Sequence, residues 1–324
     1  MKKISRFGLV LIAIVLIVSG CSGAAGNSKE KPLVLSTGTT TGVFYSLGAL
    51  LSTTWTNELG TQVTSQGSNG SVDNLNLMSQ GNVTMGFSTV NMMYEAYNGT
   101  GNFEGSQYKD IRVLANLYPN VSHVIALEGS GIESPSDIKG HSFVFGAPGS
   151  ATAIESKLLL EAHGVSVDNV NANYVGFTEA VDLLRNAQVE AANIYTGVPS
   201  SAATELISTV DSKVLSFSED AIKTLTDESK YPWNFKHTIE AGTYDNQSED
   251  VITVGQFSGI AVDANVSEEK VYELTKALWE NLDKLKEGQA VAEQFDPELA
   301  VQGTAGVPLH PGAKKYYKEI GVLE

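Results

Sequence analysis

Cysteine is almost missing from this sequence of 324 residues, because Cys21 is the only one. A single thiol excludes an intramolecular disulfide and the paired cysteines of many zinc sites. Histidine is scarce too, and none of the five histidines lies near another at metal-ligand spacing. They are His123, His141, His163, His237 and His310. The sequence therefore predicts neither a metal site nor a cofactor.

Motifs of catalysis are missing as well. The chain has no H-E-x-x-H pair, no G-x-S-x-G nucleophile turn and no G-x-x-x-x-G-K phosphate loop. The acidic run around Asp245, Glu249 and Asp250 lacks the spacing and the glycine of an EF-hand calcium loop, so we interpret it as a solvated loop. These absences favour a binding protein over an enzyme.

Basic side chains are few, with 21 lysines and arginines against 37 aspartates and glutamates. The formal net charge is −16, and it becomes −19 without the three basic residues Lys2, Lys3 and Arg6 at the N terminus. A surface of this charge repels nucleic acid and anionic lipid headgroups. We expect no nucleic-acid partner.

The N terminus has the residue order of a secretory signal. Its three basic residues precede an apolar run over 7–18, and small residues then lead to Cys21. The run is shorter than the roughly 20 apolar residues of a membrane-spanning helix. We therefore predict a signal peptide over 1–20, a flexible polar linker over 21–32 and export of the folded part.

The four residues that end at Cys21 resemble the bacterial lipobox, in which the signal is cut before the cysteine and the cysteine is acylated. The resemblance implies a lipoprotein that Cys21 anchors to the membrane, at the outer face of the cell membrane or in the periplasm. An ordinary secretory signal with an incidental cysteine is the alternative.

Strand-like apolar runs alternate with helical patterns, which predicts an α/β fold. A first series of strands begins at Leu33, and a second begins at Phe143. Between them, 111–117 and 123–127 read as two strands that close a first sheet. The most regular helix is predicted from Glu268 to Leu285. The chain beyond the signal is long enough for two hydrophobic cores, so we expect two lobes.

Polar loops of small residues lie where predicted strands end and helices begin, at 38–42, 67–71, 88–91 and 148–152. Free backbone N–H groups and the positive end of the helix dipole meet at such places, and they accept carboxylates. In open α/β sheets, ligands bind beyond the carboxyl ends of the strands. These loops therefore predict one ligand site.

Arginine is rare beyond the signal, where only Arg112 and Arg185 occur, and neither lies in one of these loops. A ligand carboxylate would therefore be held by backbone N–H groups and hydroxyl groups rather than by a bidentate arginine.

Seven stretches together resemble the TAXI-type receptors of the tripartite ATP-independent periplasmic (TRAP) transporters, and the similarity runs over 33–321. The stretches are STGTTTGVFY at 36–45, GSVDNL at 70–75, YEAYNGTG at 94–101, LYP at 117–119, DIKG at 137–140, GAPGS at 146–150 and VPLHPGA at 307–313.

The resemblance implies a type II periplasmic-binding-protein fold, with two α/β lobes, a hinge and a central ligand cleft. Lobe 1 would be 33–132 plus 239–324, and lobe 2 would be 133–238. By the same resemblance, the ligand-binding residues would be Thr39, Thr40, Thr41, Tyr45, Gly70, Ser71, Asn74, Asn91, Tyr118, Gly149, Ser150, Thr152 and Tyr195. For the three tyrosines, core packing is the plainer alternative.

Two positions depart from the family pattern. Val90 and Asn91 stand where the family commonly has an acidic residue, and Phe44 with Tyr45 replaces a common tyrosine pair. The missing carboxylate removes a possible anchor for a ligand amino group. Glutamate, a dicarboxylate and an uncharged amide therefore stay open as the solute.

The function implied by the resemblance is that of a monomeric receptor, which captures an amino-acid-like or organic-acid solute and delivers it to the membrane permease subunits of a TRAP transporter. Uptake would be driven by an ion gradient. A binding protein for an ABC importer or a sensor kinase is the first alternative. An enzyme that uses the same fold is the second.

Overall fold

The computed structural model describes residues 32–324, which belong to one compact unit. The predicted signal peptide, Cys21 and the linker up to residue 31 lie outside the described residues. Within 32–324, none of the helices combines the length and the hydropathy of a membrane span. The division of the unit into lobes at 132/133 and 238/239 stays a prediction.

The first part of the unit alternates strands and helices, as the sequence predicts. Its elements are β1 (Leu33–Ser36), α1 (Val43–Leu59), β2 (Val63–Gln66), α2 (Ser71–Ser79), β3 (Met85–Thr89) and α3 (Val90–Asn98). The strands β1, β2 and β3 are parallel, with β1 in the middle, and we call them the first triplet. Their carboxyl ends therefore lie at one edge of the sheet.

A second series repeats this pattern after a strand of 17 residues, β4 (Ile111–Leu127). Its elements are β5 (Ser142–Val144), α4 (Ala151–Ala162), β6 (Asn171–Asn173), α5 (Phe177–Arg185), β7 (Ala191–Thr196), α6 (Ser201–Thr209), β8 (Ser212–Val214) and α7 (Glu219–Leu225). The strands β5, β6 and β7 are parallel, with β5 in the middle, and form the second triplet.

The last part of the chain begins beside the second triplet and then returns to the first. Its elements are β9 (Asn234–Ile239), β10 (Val251–Asp263), α8 (Glu268–Glu280), α9 (Leu282–Gly288), α10 (Pro297–Ala300) and α11 (Pro311–Glu319). Short 3-10 helices lie at Gly101–Phe103, Pro135–Ile138, Val167–Asn169 and Ala290–Gln294.

The strands of residues 32–324 join in one sheet of order β2-β1-β3-β10-β4-β7-β5-β6, with β8 added to β4 and β9 added to β10. The antiparallel strand β10 lies beside the first triplet, and the antiparallel strand β4 lies beside the second. The two ends of the sheet therefore mirror each other. The predicted α/β fold is confirmed.

Two predictions about single elements are wrong. The segments 111–117 and 123–127 form one continuous strand, β4. Pro119 lies opposite Phe257, near an irregularity in the pairing with β10. The strand continues beyond Pro119 because it gains hydrogen bonds to β7 there. The helix predicted from Glu268 to Leu285 is interrupted at Asn281, which has non-helical dihedral angles and donates its side-chain amide to the carbonyl oxygen of Ala277.

The hydrophobic core lies on both faces of the sheet as four clusters. Two clusters surround the first triplet, and their largest members include Trp55 and Phe87 on one face and Leu75 on the other. The other two surround the second triplet. The long strand β4 contributes to both ends of the sheet, with Tyr118 in the first part and Val121 in the second.

The histidine on β4 is buried and has a structural role. The Nδ1 atom of His123 lies 2.9 Å from the carbonyl oxygen of Ile194, and its Nε2 atom lies 2.8 Å from the hydroxyl group of Tyr244. A carbonyl oxygen can only accept, so Nδ1 donates and Nε2 accepts from the tyrosine. Burial lowers the pKa of His123 to about 4. The ring is therefore neutral in the folded protein at neutral pH.

This burial predicts a loss of stability in acid. Between pH 6.5, the ordinary pKa of histidine, and about pH 4, the unfolded chain binds a proton at His123 that the folded chain excludes. The free energy of unfolding should therefore fall by about 3 kcal/mol more in the wild type than in His123→Gln over that interval. Urea unfolding at several pH values measures this difference, and parallel pH profiles of the two proteins would contradict it.

Candidate functional site

A cavity lies where the carboxyl ends of the two triplets meet. Loops after β1 and β2 reach it from one side, and loops after β5 and β6 reach it from the other. It is lined by Gly38, Thr39, Gly42, Val43, Phe44, Asn69, Gly70, Ser71, Asn120, Ala147, Ser150, Ala151, Thr152, Gly176, Phe177, Tyr195 and Thr196. The carboxyl-end crevice of an α/β sheet is the usual place for a ligand.

Four helices begin at this cavity: α1, α2, α4 and α5. The first backbone amides of a helix have no carbonyl acceptor within it and carry its positive end. Six such amides belong to lining residues and have no hydrogen-bond acceptor among residues 32–324, namely those of Val43, Phe44, Ser71, Ala151, Thr152 and Phe177. The cavity therefore offers several backbone donors to an anion.

The lining contains no charged side chain. Arg112 donates to the carbonyl oxygens of Lys109 and Ile111, and Arg185 forms ion pairs with Asp182 and Glu205. Both arginines therefore have partners elsewhere. The helix ends supply partial positive charge at the lining, and hydroxyl groups such as those of Thr39 and Ser150 supply further polar contacts.

Contacts across the mouth hold the two sides together. The amide of Asp73 donates to the carbonyl oxygen of Gly149 at 3.1 Å, and the hydroxyl group of Ser201 donates to the carbonyl oxygen of Thr41 at 2.9 Å. The hydroxyl oxygens of Thr40 and Thr178 lie 3.2 Å apart. In this structure the loops on the two sides of the cavity are therefore in direct contact.

The closed cavity is small. Its volume is about 40 Å³, which is room for roughly three water molecules. A Cβ atom at Gly176 would lie 2.9 Å from the methyl carbon of Thr39, so the sides are in tight contact.

Six of the thirteen predicted site residues line the cavity: Thr39, Gly70, Ser71, Ser150, Thr152 and Tyr195. They come from both triplets, so the structure brings together loops that are far apart in the sequence. Thr40 and Thr41 lie at the mouth, where both hydroxyl groups are near that of Thr178. Gly149 lies there too, as the acceptor for Asp73.

The other predicted residues lie away from the lining. The side chain of Tyr45 is 39% exposed. Tyr118 is fully buried in the core, where its ring contacts Phe44 and stacks on Phe295. Its hydroxyl group has no hydrogen-bond partner among residues 32–324, and burial raises its pKa. Core packing, the plainer alternative, describes the position of Tyr118.

Asn74 lies under the loops, fully buried, and its amide group is saturated. Its nitrogen donates to the carbonyl oxygens of Thr37 at 2.6 Å and Phe87 at 2.8 Å. Its oxygen accepts from the hydroxyl groups of Ser36 and Ser68. One side chain thereby ties together the loops after β1 and β2 and the strand β3.

Asn91 is also buried, at the start of α3, and its side-chain nitrogen donates to Glu155 on α4 at 3.1 Å. It joins the two sides of the molecule beneath the cavity.

Several lining residues were not predicted. Asn120 lies within the long strand β4, and Thr196 ends the six-residue strand β7. Gly176 is the N-cap of α5, and Phe177 is its first residue. Other polar residues occur in the same two strands, among them Ser122 and Asn193, so polarity alone does not single out Asn120 or Thr196. The start of α5 follows a strand of only three residues, so the strand-to-helix boundary gives little signal there.

The fold and the cleft define the class of protein. Two mirrored sets of parallel strands, two long antiparallel strands between them and a closed cleft at the carboxyl ends form the fold of a periplasmic binding protein. This agrees with the periplasmic-binding-protein fold that the resemblance implies.

The chain belongs to the NMT1-like family, whose model matches residues 35–321. Among solved structures, it is similar to the periplasmic binding protein BugD, with 16% identity and a TM-score of 0.57 over 90% of this chain and 97% of that one. It is also similar to MatC from Rhodopseudomonas palustris with bound malate, with 13% identity and a TM-score of 0.57 over 90% and 99%. These likenesses support the fold.

Proposed function

We propose that this protein is an extracytoplasmic substrate-binding lipoprotein of a TAXI-type TRAP transporter, which captures a small anionic solute and transforms nothing. The solute is an organic acid or an amino acid that binds through its carboxylate. Cys21 carries the lipid anchor, and the linker that follows it lets the folded part meet the permease subunits at a raised effective concentration.

The observation that carries the proposal is the convergence of four helix N-termini on one cavity without a charged side chain. Each end contributes a partial positive charge and free N–H groups, which stabilise a carboxylate in a partly buried site. An uncharged solute would leave these donors poorly matched. A cation would be repelled.

Capture requires the two sides to open and close. We place the hinge in β4 and β10, because both strands pass from the clusters around the first triplet to those around the second. The contacts across the mouth then exist only in the closed form, and a bound solute adds its own contacts to both sides. Closing around the solute is the expected origin of affinity.

A thermal-shift screen of the full chain tests this function. The screen pairs carboxylic acids, malate and glutamate among them, with their uncharged amides. A solute at about 100 times its dissociation constant should stabilise the fold by about 2.7 kcal/mol. We expect at least one acid to raise the melting temperature while its amide does not. If amides and acids act alike, or if no acid acts, the proposed function is wrong.

A further inference from the structure

Glu155 is a buried acid beneath the cavity. It lies on α4 one turn beyond Thr152, which lines the cavity, and it is only 2% exposed. Its Oε1 atom accepts hydrogen bonds from the side-chain nitrogen of Asn91 at 3.1 Å and from that of Gln256 at 2.8 Å. Asn91 begins α3 and Gln256 lies in β10, so the carboxyl group joins three elements.

Further hydrogen bonds fix the orientation of these two amides. The Oε1 atom of Gln256 accepts from the backbone amide of Asn91 at 3.0 Å. The Oδ1 atom of Asn91 accepts from the hydroxyl group of Thr89 at 2.6 Å and from the amide of Met92 at 2.7 Å. With both oxygens occupied, both nitrogens are directed to Glu155. The cluster therefore connects the first triplet to α4.

No cation balances this carboxyl group, which forms no ion pair within residues 32–324. The titratable groups that face it are Glu95 from α3 and Tyr195 from β7, and the facing group of β10 is the neutral amide of Gln256. Burial raises the pKa of Glu155 to about 7, and the charge of Glu95 adds to this, while the two amide hydrogen bonds oppose it.

We propose that Glu155 is a positioning residue that latches the closed cleft as a neutral carboxylic acid, so that closure around a solute takes up one proton. The solute in this inference is that of the proposed function, on which this part rests. The latch is inferred from the hydrogen bonds around Glu155. In the open form, α4 separates from Asn91 and Gln256, and water reaches the carboxyl group. The proton that solvent supplies on closing is released again on opening.

The nature of the solute strengthens this linkage. An anion in the cavity would lie beside Tyr195, whose pKa is raised by burial and by the neighbouring Glu155. A second negative charge on Glu155 would be unfavourable there, because two like charges in a buried site repel each other. The bound form therefore holds the proton more firmly than the open form.

The sign of the pH effect follows from proton binding. The closed form binds the proton up to about pH 7, and a solvated glutamate loses it near its ordinary pKa of 4.5. Affinity is therefore highest in mild acid and falls as the pH rises through neutrality. The fall should be on the order of tenfold between about pH 6 and about pH 8.5.

Calorimetric titration of the full chain with malate measures this profile. Wild type should lose affinity on the order of tenfold, and Glu155→Gln, a neutral isostere that can still accept from Asn91, should stay constant within about twofold. Glu161→Gln, an exposed change on the same helix, should keep the wild-type profile. An equal slope in wild type and Glu155→Gln would overturn the proposal.

A second experiment tests the protonation of Glu155 without a solute. A disulfide between Thr40→Cys and Thr178→Cys, with Cys21→Ser, locks the full chain closed where the two hydroxyl groups meet. The infrared spectrum of the locked form at about pH 6 should contain a protonated carboxyl band that Glu155→Gln removes. If the band is present but malate binds at no pH, the latch stands and malate is excluded as the solute. If the band is missing, the latch is wrong.

Discussion

Replacing Gly70 by alanine is expected to lower the affinity for the solute by about tenfold or more. Gly70 has φ 115° and ψ −152°, a region that is essentially closed to residues with a Cβ atom. An alanine there costs about 1–3 kcal/mol, which the loop can relieve only by turning. The turn would move the free amide of Ser71, at the start of α2, out of the cavity.

Gly60→Ala is the matched control for Gly70→Ala. Gly60 also has a positive φ, 61°, but it ends α1, and a Cβ atom there meets no atom within 4 Å. The control should lose about 1 kcal/mol of stability with unchanged affinity. Calorimetric titration of both variants with the acid that gives the largest thermal shift separates the two effects. Equal affinities of Gly70→Ala and Gly60→Ala would contradict a role for the α2 terminus.

Replacing Asn74 by alanine is expected to lower the free energy of unfolding by about 3 kcal/mol or more. Its amide serves two donors and two acceptors in a fully buried place, so its removal leaves the carbonyl oxygen of Phe87 and the hydroxyl group of Ser36 without this partner. Each such group costs about 1–3 kcal/mol. The loops after β1 and β2 also lose their common support, and affinity should fall with stability.

Asn76→Ala, on the same helix, provides the comparison for Asn74→Ala. The side chain of Asn76 is half-buried and takes part in no hydrogen bond among residues 32–324. We expect its loss to change stability by less than about 1 kcal/mol. Chemical denaturation of the three proteins gives the two differences. A similar small loss in both variants would show that the Asn74 cluster contributes little.

Hydrophobic alternation was sufficient to predict the α/β fold and the order of the first and second series of strands. It could not predict that β4 runs unbroken through Pro119, because the strand continues only where a new neighbour, β7, supplies hydrogen bonds. The break at Asn281 has a similar origin, since the local cap on Ala277 outweighs a continuous apolar stripe. Long-range pairing and local capping leave little trace in periodicity.

Residues of the glycine-containing loops at 38–42, 67–71 and 148–152 lie around one cavity, where helices begin. Gly70, Ser71 and Ser150 line it, and their role in ligand binding stays a prediction. That a residue is polar does not show whether it lines the cavity or holds the loops from beneath. Asn74 is polar and lies in the same region, but its side chain holds the loops. Polarity also gave no sign of Glu155, which sits one helical turn behind the cavity and resembles any other glutamate in the sequence.

Native mass spectrometry of the freshly purified full chain tests most directly whether this protein captures a small anion in its cleft. We predict one small acid bound to each wild-type chain, released on denaturation and much reduced in Gly70→Ala. A wild-type chain that carries no solute, and that retains none of the acids after incubation with them, would contradict the account.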